Sequence, residues 1–271
     1  MKSRPQERFS SVAKTYASWR PSYPKELFER VAQAAKLAPG ATVVDVGCGT
    51  GISTRLWAEL GYRAVGVEPN DAMRAEAVAA GGVAHLSPEA MGLRDRALSR
   101  NPIDGDETYR KGDAEKTGLP EHLADLVAAA QAFHWFELDR ALAEFSRVLK
   151  PGAKCAAIWN QRARTPLLKE YEALLSRFAA EYNDRPKSAD VLAKITAHPR
   201  VVAPVSFEIT HAQTLDREGF FGRVYSASYV ALSLSDKKGF DAALEALFAK
   251  FQKDGRVAFD YRAVAVVFAL R

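Results

Sequence analysis

Between residues 42 and 159 the chain alternates short apolar runs with stretches whose apolar residues recur at helical spacing. Thr42–Val46 is a β-branched run that ends in glycines, which predicts a buried strand. Residues 53–60 follow as a helix closed by Gly61. Residues 62–67 form a second strand, and 71–80 a helix stopped by Gly81 and Gly82. Further strands are predicted over 108–111, 126–132 and 153–159, with a helix over 139–149 that ends at Lys150, Pro151 and Gly152. Strands that alternate with helices imply a parallel sheet, because parallel neighbours need a crossover connection.

The flanks read differently. Phe9, Val12, Ala13, Tyr16 and Ala17 share helical spacing, and that helix must end before Pro21. Pro24 suits the first position of a second helix through Leu27, Phe28, Val31 and Ala35, which Pro39 and Gly40 stop. After residue 160 an amphipathic helix over about 166–182 carries Leu167, Leu168, Tyr171, Leu174, Leu175 and Phe178 on one face. Strands over 205–214 and 261–270 are separated by helical segments around 217–229 and 238–254. Residues 84–106, rich in charge, proline and glycine, show no period and read as an insertion, either a lid or a long mobile loop. The expected organisation is one domain over 1–271. Within it, 40–160 form the ligand-binding core, 1–38 and 161–258 form cap elements, and 84–106 are inserted.

Composition narrows the class. The 271 residues are 48% hydrophobic and 26% charged, ordinary for a protein with a buried core. The net charge of +5 comes from 38 basic and 33 acidic residues without a long run of either sign, so it points to neither nucleic acid nor a membrane surface. Two cysteines, Cys48 and Cys155, lack CxxC spacing and a nearby histidine cluster, so no metal site is expected. Sparse cysteine and a polar stretch over residues 1–10 fit a cytoplasmic protein.

The chemistry concentrates in Asp45-Val46-Gly47-Cys48-Gly49-Thr50-Gly51, a strand that runs into a glycine turn. Glycines let backbone approach a ligand closely and take positive φ. A dinucleotide fingerprint reads G-x-G-x-x-G. Here the spacing is G-x-G-x-G, and Ile52 stands where the third dinucleotide glycine would be. Asp45 would repel a pyrophosphate but suits an ammonium or sulfonium group. Both features favour S-adenosylmethionine over NAD.

The segment 45–51 resembles the first motif of class I S-adenosylmethionine-dependent methyltransferases. Val65-Gly66-Val67-Glu68-Pro69-Asn70 resembles the second motif, whose acid can accept from both ribose hydroxyls. Gly112-Asp113-Ala114-Glu115 resembles the third, which implies that Asp113 accepts from the adenine amino group and that the Ala114 amide meets the ring. Residues 124–127 and the run Gln131-Ala132-Phe133-His134-Trp135-Phe136 resemble the fourth, and Arg147-Val148-Leu149-Lys150-Pro151-Gly152 matches the turn before strand five. The resemblance covers roughly residues 9–160. Within the family it is closest to the small-molecule set around trans-aconitate and ubiquinone-type methyltransferases.

The resemblance implies an α/β fold: a Rossmann-like, mostly parallel seven-stranded sheet with helices on both faces, the last strand antiparallel, and a helical cap. The implied cofactor contacts are Tyr16, Arg20, Asp45, Gly47, Cys48, Gly49, Gly51, Glu68, Pro69, Asn70, Met73, Asp113, Ala114, Gln131, Phe133 and His134. Tyr16 and Arg20 would sit near the methionine carboxylate, or else pack and face water. His134 is the candidate general base, with lining the pocket as the alternative. Arg162 and Arg164 either hold an acidic acceptor or face water. The expected reaction is methyl transfer from S-adenosylmethionine to an oxygen or nitrogen of a small-molecule acceptor, a carboxylate included. The alternatives are a protein or nucleic-acid methyltransferase and a non-catalytic S-adenosylmethionine-binding protein. The aromatic-rich cap, with Phe207, Phe220, Phe221, Tyr225 and Tyr229, would close the pocket together with the first helix, or form a core of its own.

Overall fold

Val43, Val44 and Val46 alternate across β1 (Thr42–Val46) and are fully buried, so this strand is covered on both faces and occupies the middle of the sheet. The computed structural model describes residues 13–81, 108–184 and 186–271. β1 pairs in parallel with β2 (Arg63–Val67) on one side and β4 (Ala124–Ala130) on the other. β3 (Tyr109–Arg110) adds to β2, and β5 (Leu149–Arg162) adds to β4, also in parallel. β7 (Val257–Leu270) lies antiparallel between β5 and β6 (Val201–Leu215). The order β3-β2-β1-β4-β5-β7-β6 reverses direction beside β1, so the carboxyl ends of β1, β2 and β4 open on one crevice.

Helices cover both faces. On one, α2 (Lys25–Ala35) and α3 (Ile52–Glu59) bring Leu27, Phe28, Val31 and Trp57 onto Val43, Leu126, Ala156, Ala265 and Val267. On the other, α5 (Leu138–Val148) and α7 (Ser188–Thr196) lay Leu142, Phe145, Val148 and Ile195 over Val44, Val127, Cys155 and Phe268. α1 (Ala13–Trp19) precedes α2, and α4 (Asp71–Ala79) follows β2. A third apolar cluster joins α6 (Pro166–Phe178), α8 (Arg217–Tyr225), α9 (Ser228–Ser233) and α10 (Lys237–Phe251) to Val257, Phe259 and Tyr261 of β7. The cap aromatics Phe220, Phe221, Tyr225 and Tyr229 belong to this cluster, whereas Phe207 packs on the α2 face.

Several boundaries differ from the sequence reading. α7 was unread, although Val191, Leu192 and Ile195 have helical spacing and pack on the sheet. Its remaining positions are polar or small, which hides the stripe. β4 stops at Ala130 because Gln131 takes φ +58°. β5 starts four residues early, where Leu149 pairs with Ala124 across a register irregularity that accommodates Pro151 and Gly152. Pro24 caps α2 from an extended conformation and is not its first residue. The long helix after Pro166 ends at Phe178, and Ala180–Tyr182 is a separate 3-10 turn. Phe9, Val12 and the 84–106 insertion lie outside the described residues. No helix among the described residues is long and apolar enough to cross a membrane.

Trp57 is fully buried, its ring centroid 4.6 Å from Phe28 and 5.9 Å from Tyr62. Truncating a buried aromatic of this size costs about 3–5 kcal/mol. Trp57→Ala is therefore expected to lose about that much in urea unfolding, and Trp57→Phe clearly less. Equal losses would place the ring outside the core.

Candidate active site

The glycine turn begins where β1 ends. The Gly47 and Cys48 amides both donate to the Val67 carbonyl, at 2.8 and 3.2 Å, which fastens the turn to the end of β2. Gly47, Gly49 and Gly51 take φ of +69°, +58° and +76°. At Gly47 a Cβ would stand 2.6 Å from the Ala132 Cβ, and at Gly51 it would collide with the Tyr109 ring and hydroxyl. Glycine is thus required for conformation and for space. α3 starts immediately after, and Arg55 Nη1 donates to the Thr50 carbonyl at 2.9 Å, tying helix to turn.

Glu68 follows β2 and joins two turns. Its Oε2 accepts from the Gly49 amide and its Oε1 from the Asn70 amide, both at 2.9 Å. Burial pushes its carboxyl above the usual range, against the pull of those two amides. Asn70 is the N-cap of α4, with Oδ1 accepting from the Met73 amide at 2.9 Å. Beyond β3, Asp113 and Lys116 exchange backbone hydrogen bonds across a tight turn. Glu144 holds that turn from α5, with Oε1 accepting from Thr117 N at 2.9 Å and Thr117 Oγ1 at 2.6 Å. Asp113 Oδ1 is buried and has no partner among the described residues.

Asp45 is fully buried. Its Oδ2 accepts from Ser53 Oγ and Thr54 Oγ1, both at 2.6 Å, while Oδ1 has no partner among the described residues. Burial raises its pKa from 3.8 to about 6, partly offset by the two hydroxyls. The same burial raises the Cys48 thiol well above its ordinary value, with the charges of Asp45 and Glu68 adding to it. Cys48 is therefore a protonated filler of the turn at neutral pH.

These turns enclose a cleft with about 980 Å³ of open space, its mouth included. Of the residues expected there, Tyr16, Gly47, Cys48, Gly49, Glu68, Pro69, Met73, Asp113, Ala114 and Gln131 line it. Arg20, Asp45, Gly51, Asn70, Phe133 and His134 do not. Asp45 and Asn70 stand behind the wall as supports, and Gly51 packs on Tyr109. Phe133 is a core residue between Phe145, Trp159 and Phe268. A 3-10 turn over Phe133–Trp135 brings Trp135 and Phe136 to the cleft and leaves His134 off its lining, 4.8 Å from the Trp135 ring. Arg20 turns to the cap, donating to the Ser226 carbonyl at 3.3 Å.

The sequence reading missed, among others, Tyr23, Ser53, Glu115, Trp135 and Phe136 on the lining. Tyr23 stands in the link Pro21-Ser22-Tyr23-Pro24 between α1 and α2, and an aromatic set between two prolines was the available signal. Among the described residues, none beyond Phe136 lines the cleft, so the expected contribution of the cap to its wall is not seen. Arg162 does not line the cleft. Its guanidinium donates to Glu172, Tyr229 and Tyr182 at 3.1, 3.1 and 2.9 Å, while Arg164 is exposed.

A mostly parallel sheet with a glycine turn after β1 and an acid after β2 is the arrangement of Rossmann-like folds that hold nucleoside-bearing ligands. Residues 44–157 match the family model of a methyltransferase domain. The chain is 29% identical over 191 residues to an uncharacterised methyltransferase of Mycobacterium tuberculosis, covering 70% of this chain and 68% of that one. It is 30% identical over 129 residues to malonyl-acyl-carrier-protein O-methyltransferase of Serratia marcescens, covering 47% of this chain and 42% of the relative. A solved structure from Anaeromyxobacter dehalogenans, provisionally named a type II methyltransferase, superposes with a TM-score of 0.61 at 27% identity, over 94% of this chain and 98% of that one. A phosphoethanolamine N-methyltransferase of Haemonchus contortus, solved with S-adenosylhomocysteine, shares the fold at 14% identity and a TM-score of 0.52, over 98% of this chain and 59% of that one. Residues 44–157 thus carry a methyltransferase domain, and these likenesses support a class I S-adenosylmethionine-dependent methyltransferase.

The Asp45 shift has a sign. A carboxyl that holds its proton to about 6 in the fold but to 3.8 outside it favours the fold when protonated. Stability therefore falls as pH rises between those values and stays at the lower level above them. Glu68 acts in the same direction. Asp45→Asn removes the Asp45 part, so relative to wild type it should gain more at pH 7 than at pH 4 in urea unfolding. An equal gain at both values would contradict the buried charge. Gly47→Ala should reduce cofactor affinity, since its Cβ must displace Ala132. Unchanged calorimetric affinity would show that the turn can yield.

Proposed function

We propose that this enzyme binds S-adenosylmethionine in the cleft of Glu68 and Asp113 and methylates an oxygen or nitrogen of a small-molecule acceptor. The observation that carries the reading is the pairing of two acids in one cleft. Glu68 already accepts two backbone amides and is fixed in place. Asp113 keeps a buried oxygen without a partner among the described residues. A carboxylate has about four lone-pair sites, so Glu68 retains acceptor capacity for a pair of ribose hydroxyls. Asp113 Oδ1 suits an adenine amino donor, with the Ala114 amide beside it. An unpartnered buried acceptor is costly, and a donor on the ligand relieves that cost.

The cofactor when bound supplies a methyl group already activated by its sulfonium. The protein's tasks are to orient, to exclude water and to favour positive charge. Asp45 contributes a buried negative charge behind the glycine turn, and it suits a cationic ligand better than a pyrophosphate. Tyr16, Tyr23, Trp135 and Phe136 form aromatic wall on the cleft. Such walls hold an acceptor against the methyl, and orientation of this kind lowers barriers by about 7–11 kcal/mol. His134, off the lining, is not proposed as a base, and a carboxylate acceptor would need none. The Serratia relative, named for O-methyl transfer to a carrier-bound malonyl group, supports oxygen as the acceptor atom. For the same reason a carrier-bound acyl acceptor is the second reading. Both described cysteines are free and buried, which fits the cytoplasm as the site of the reaction.

Calorimetry with S-adenosylmethionine and with NAD tests the donor. Tight NAD binding with no S-adenosylmethionine binding would overturn it. Hydrogen bonds to a charged group are worth about 1.5–3 kcal/mol, and about 1.4 kcal/mol is tenfold in affinity. Glu68→Ala should then weaken S-adenosylmethionine by roughly tenfold to a hundredfold while circular dichroism stays unchanged. Unaltered affinity would remove the ribose role. A screen of small acids, phenols and amines with labelled donor identifies the acceptor, with malonyl carrier protein as the competing arm.

A further inference from the structure

Two walls of the cleft are tied to one residue that does not line it. Asn160 stands near the end of β5, paired with Ala263 of β7. Its backbone carbonyl accepts from Gln131 Nε2 at 3.1 Å, and Gln131 lines the cleft from the turn after β4. Its side-chain Nδ2 donates to the Ser22 carbonyl at 3.0 Å, and its Oδ1 meets His211 Nε2 at 2.9 Å. Ser22 precedes Tyr23, which lines the cleft from the link between α1 and α2.

A backbone carbonyl can only accept, so the amide nitrogen of Asn160 must face Ser22 and its oxygen must face His211. His211 Nε2 therefore carries the proton of that bond. Burial lowers the His211 pKa, so the ring is neutral at pH 7 and this bond fixes its tautomer. The ring is itself held, stacked on Tyr261 with 5.2 Å between centroids. His211 thus orients the Asn160 amide, and the amide holds Ser22.

The link needs such a hold. Pro21 and Pro24 have no N–H, and among the described residues Ser22 and Tyr23 make no backbone–backbone hydrogen bond. The ends of the link are docked. The Trp19 carbonyl accepts from Gln213 Nε2 at 3.3 Å, and the Trp19 ring lies so close to Gly222 of α8 that a Cβ there would come within 2.5 Å of it. At the other end Phe28 of α2 is fully buried, with the Tyr23 ring 5.6 Å from it. Between these ends the Ser22 carbonyl and the Tyr23 amide share one planar peptide unit, so the bond from Asn160 orients the residue that follows. Burial raises the Tyr23 pKa well above its ordinary value, and Tyr16 and Asp45 add to it, which sets the Tyr23 hydroxyl on the glycine-turn side of the cleft.

We infer that Asn160, oriented by His211, is a positioning residue that sets Tyr23 against the bound donor through the Ser22 carbonyl. The inference rests on the reading of the cleft as the S-adenosylmethionine site. Gln131 uses the backbone carbonyl of Asn160, so a change of the side chain loosens the N-terminal wall and spares the wall after β4.

The test is a double-mutant cycle read by calorimetry with S-adenosylhomocysteine. Asn160→Asp keeps the size and the acceptor for His211 but has no N–H for Ser22. It should weaken S-adenosylhomocysteine by at least about threefold, within the worth of one hydrogen bond. In a Tyr23→Ala background the same change should alter affinity by less than about twofold, because the residue it acts through is gone. A merely structural role would persist in that background. Circular dichroism reports the fold, and Tyr23→Leu takes the place of Tyr23→Ala if the latter does not fold. His211→Gln keeps an N–H donor and should bind as wild type does, whereas His211→Leu should share the loss. Unchanged affinity in Asn160→Asp overturns the inference, and so does a loss of equal size with and without the Tyr23 ring. Unchanged affinity in His211→Leu overturns the part given to His211. Wild-type protein that binds no S-adenosylhomocysteine would instead sink the donor reading of the cleft.

Discussion

The carboxylate of Glu68 is the joint on which the cleft depends. It takes the Gly49 amide from the turn after β1 and the Asn70 amide from the turn after β2. These turns neighbour each other only because β1 and β2 run parallel, which brings their carboxyl ends together. The glycine turn adds a second fastening through the Val67 carbonyl. Sheet topology therefore becomes site geometry at one residue. A shift of either strand by one position would turn its side chains to the opposite face and separate the carboxylate from its amides.

Around that joint the chain departs from what favours stability alone. Among the described residues, Asp45 is a carboxylate with one oxygen unanswered and Asp113 keeps another, and Gln131 adopts a left-handed conformation without being a glycine. Residues held in sparsely populated conformations cost of order 1–3 kcal/mol each, and they persist where surrounding structure over-determines them. Gln131 is held by its amide on the Ile158 carbonyl and by its side chain on the Asn160 carbonyl. Three apolar clusters, two against the sheet and one in the cap, supply the rigidity that tolerates these departures.

The sheet was legible because β-branched runs bounded by glycines are strong local signals, as at Thr42–Val46. The glycine turn was legible because the spacing of Gly47, Gly49 and Gly51, all of positive φ, departs from a dinucleotide fingerprint. Side-chain direction was not legible. His134 and Arg20 occupy the sequence stations that a resemblance assigns to the site, yet a 3-10 turn and the pull of Ser226 aim them elsewhere. Position at a strand end fixes where the backbone is, and the turn that follows decides what faces the ligand. α7 shows the complementary limit, since three apolar residues among small and polar ones fall short of a readable stripe.

The cap follows from the same reasoning. Its aromatics fill a core of their own: Phe220 packs between Phe248 and Phe259, and Tyr171 against Phe259. Arg162 is fully engaged there, so its charge is consumed by the cap's internal structure. The cap's apolar residues pack on one another and on β7, and among the described residues none of them lines the cleft's wall. It meets the N-terminal segment at the Ser226 carbonyl, which accepts from Arg20 Nη2 at 3.3 Å. The aromatic wall of the cleft is left to the N-terminal segment and the turn after β4, through Tyr16, Tyr23, Trp135 and Phe136.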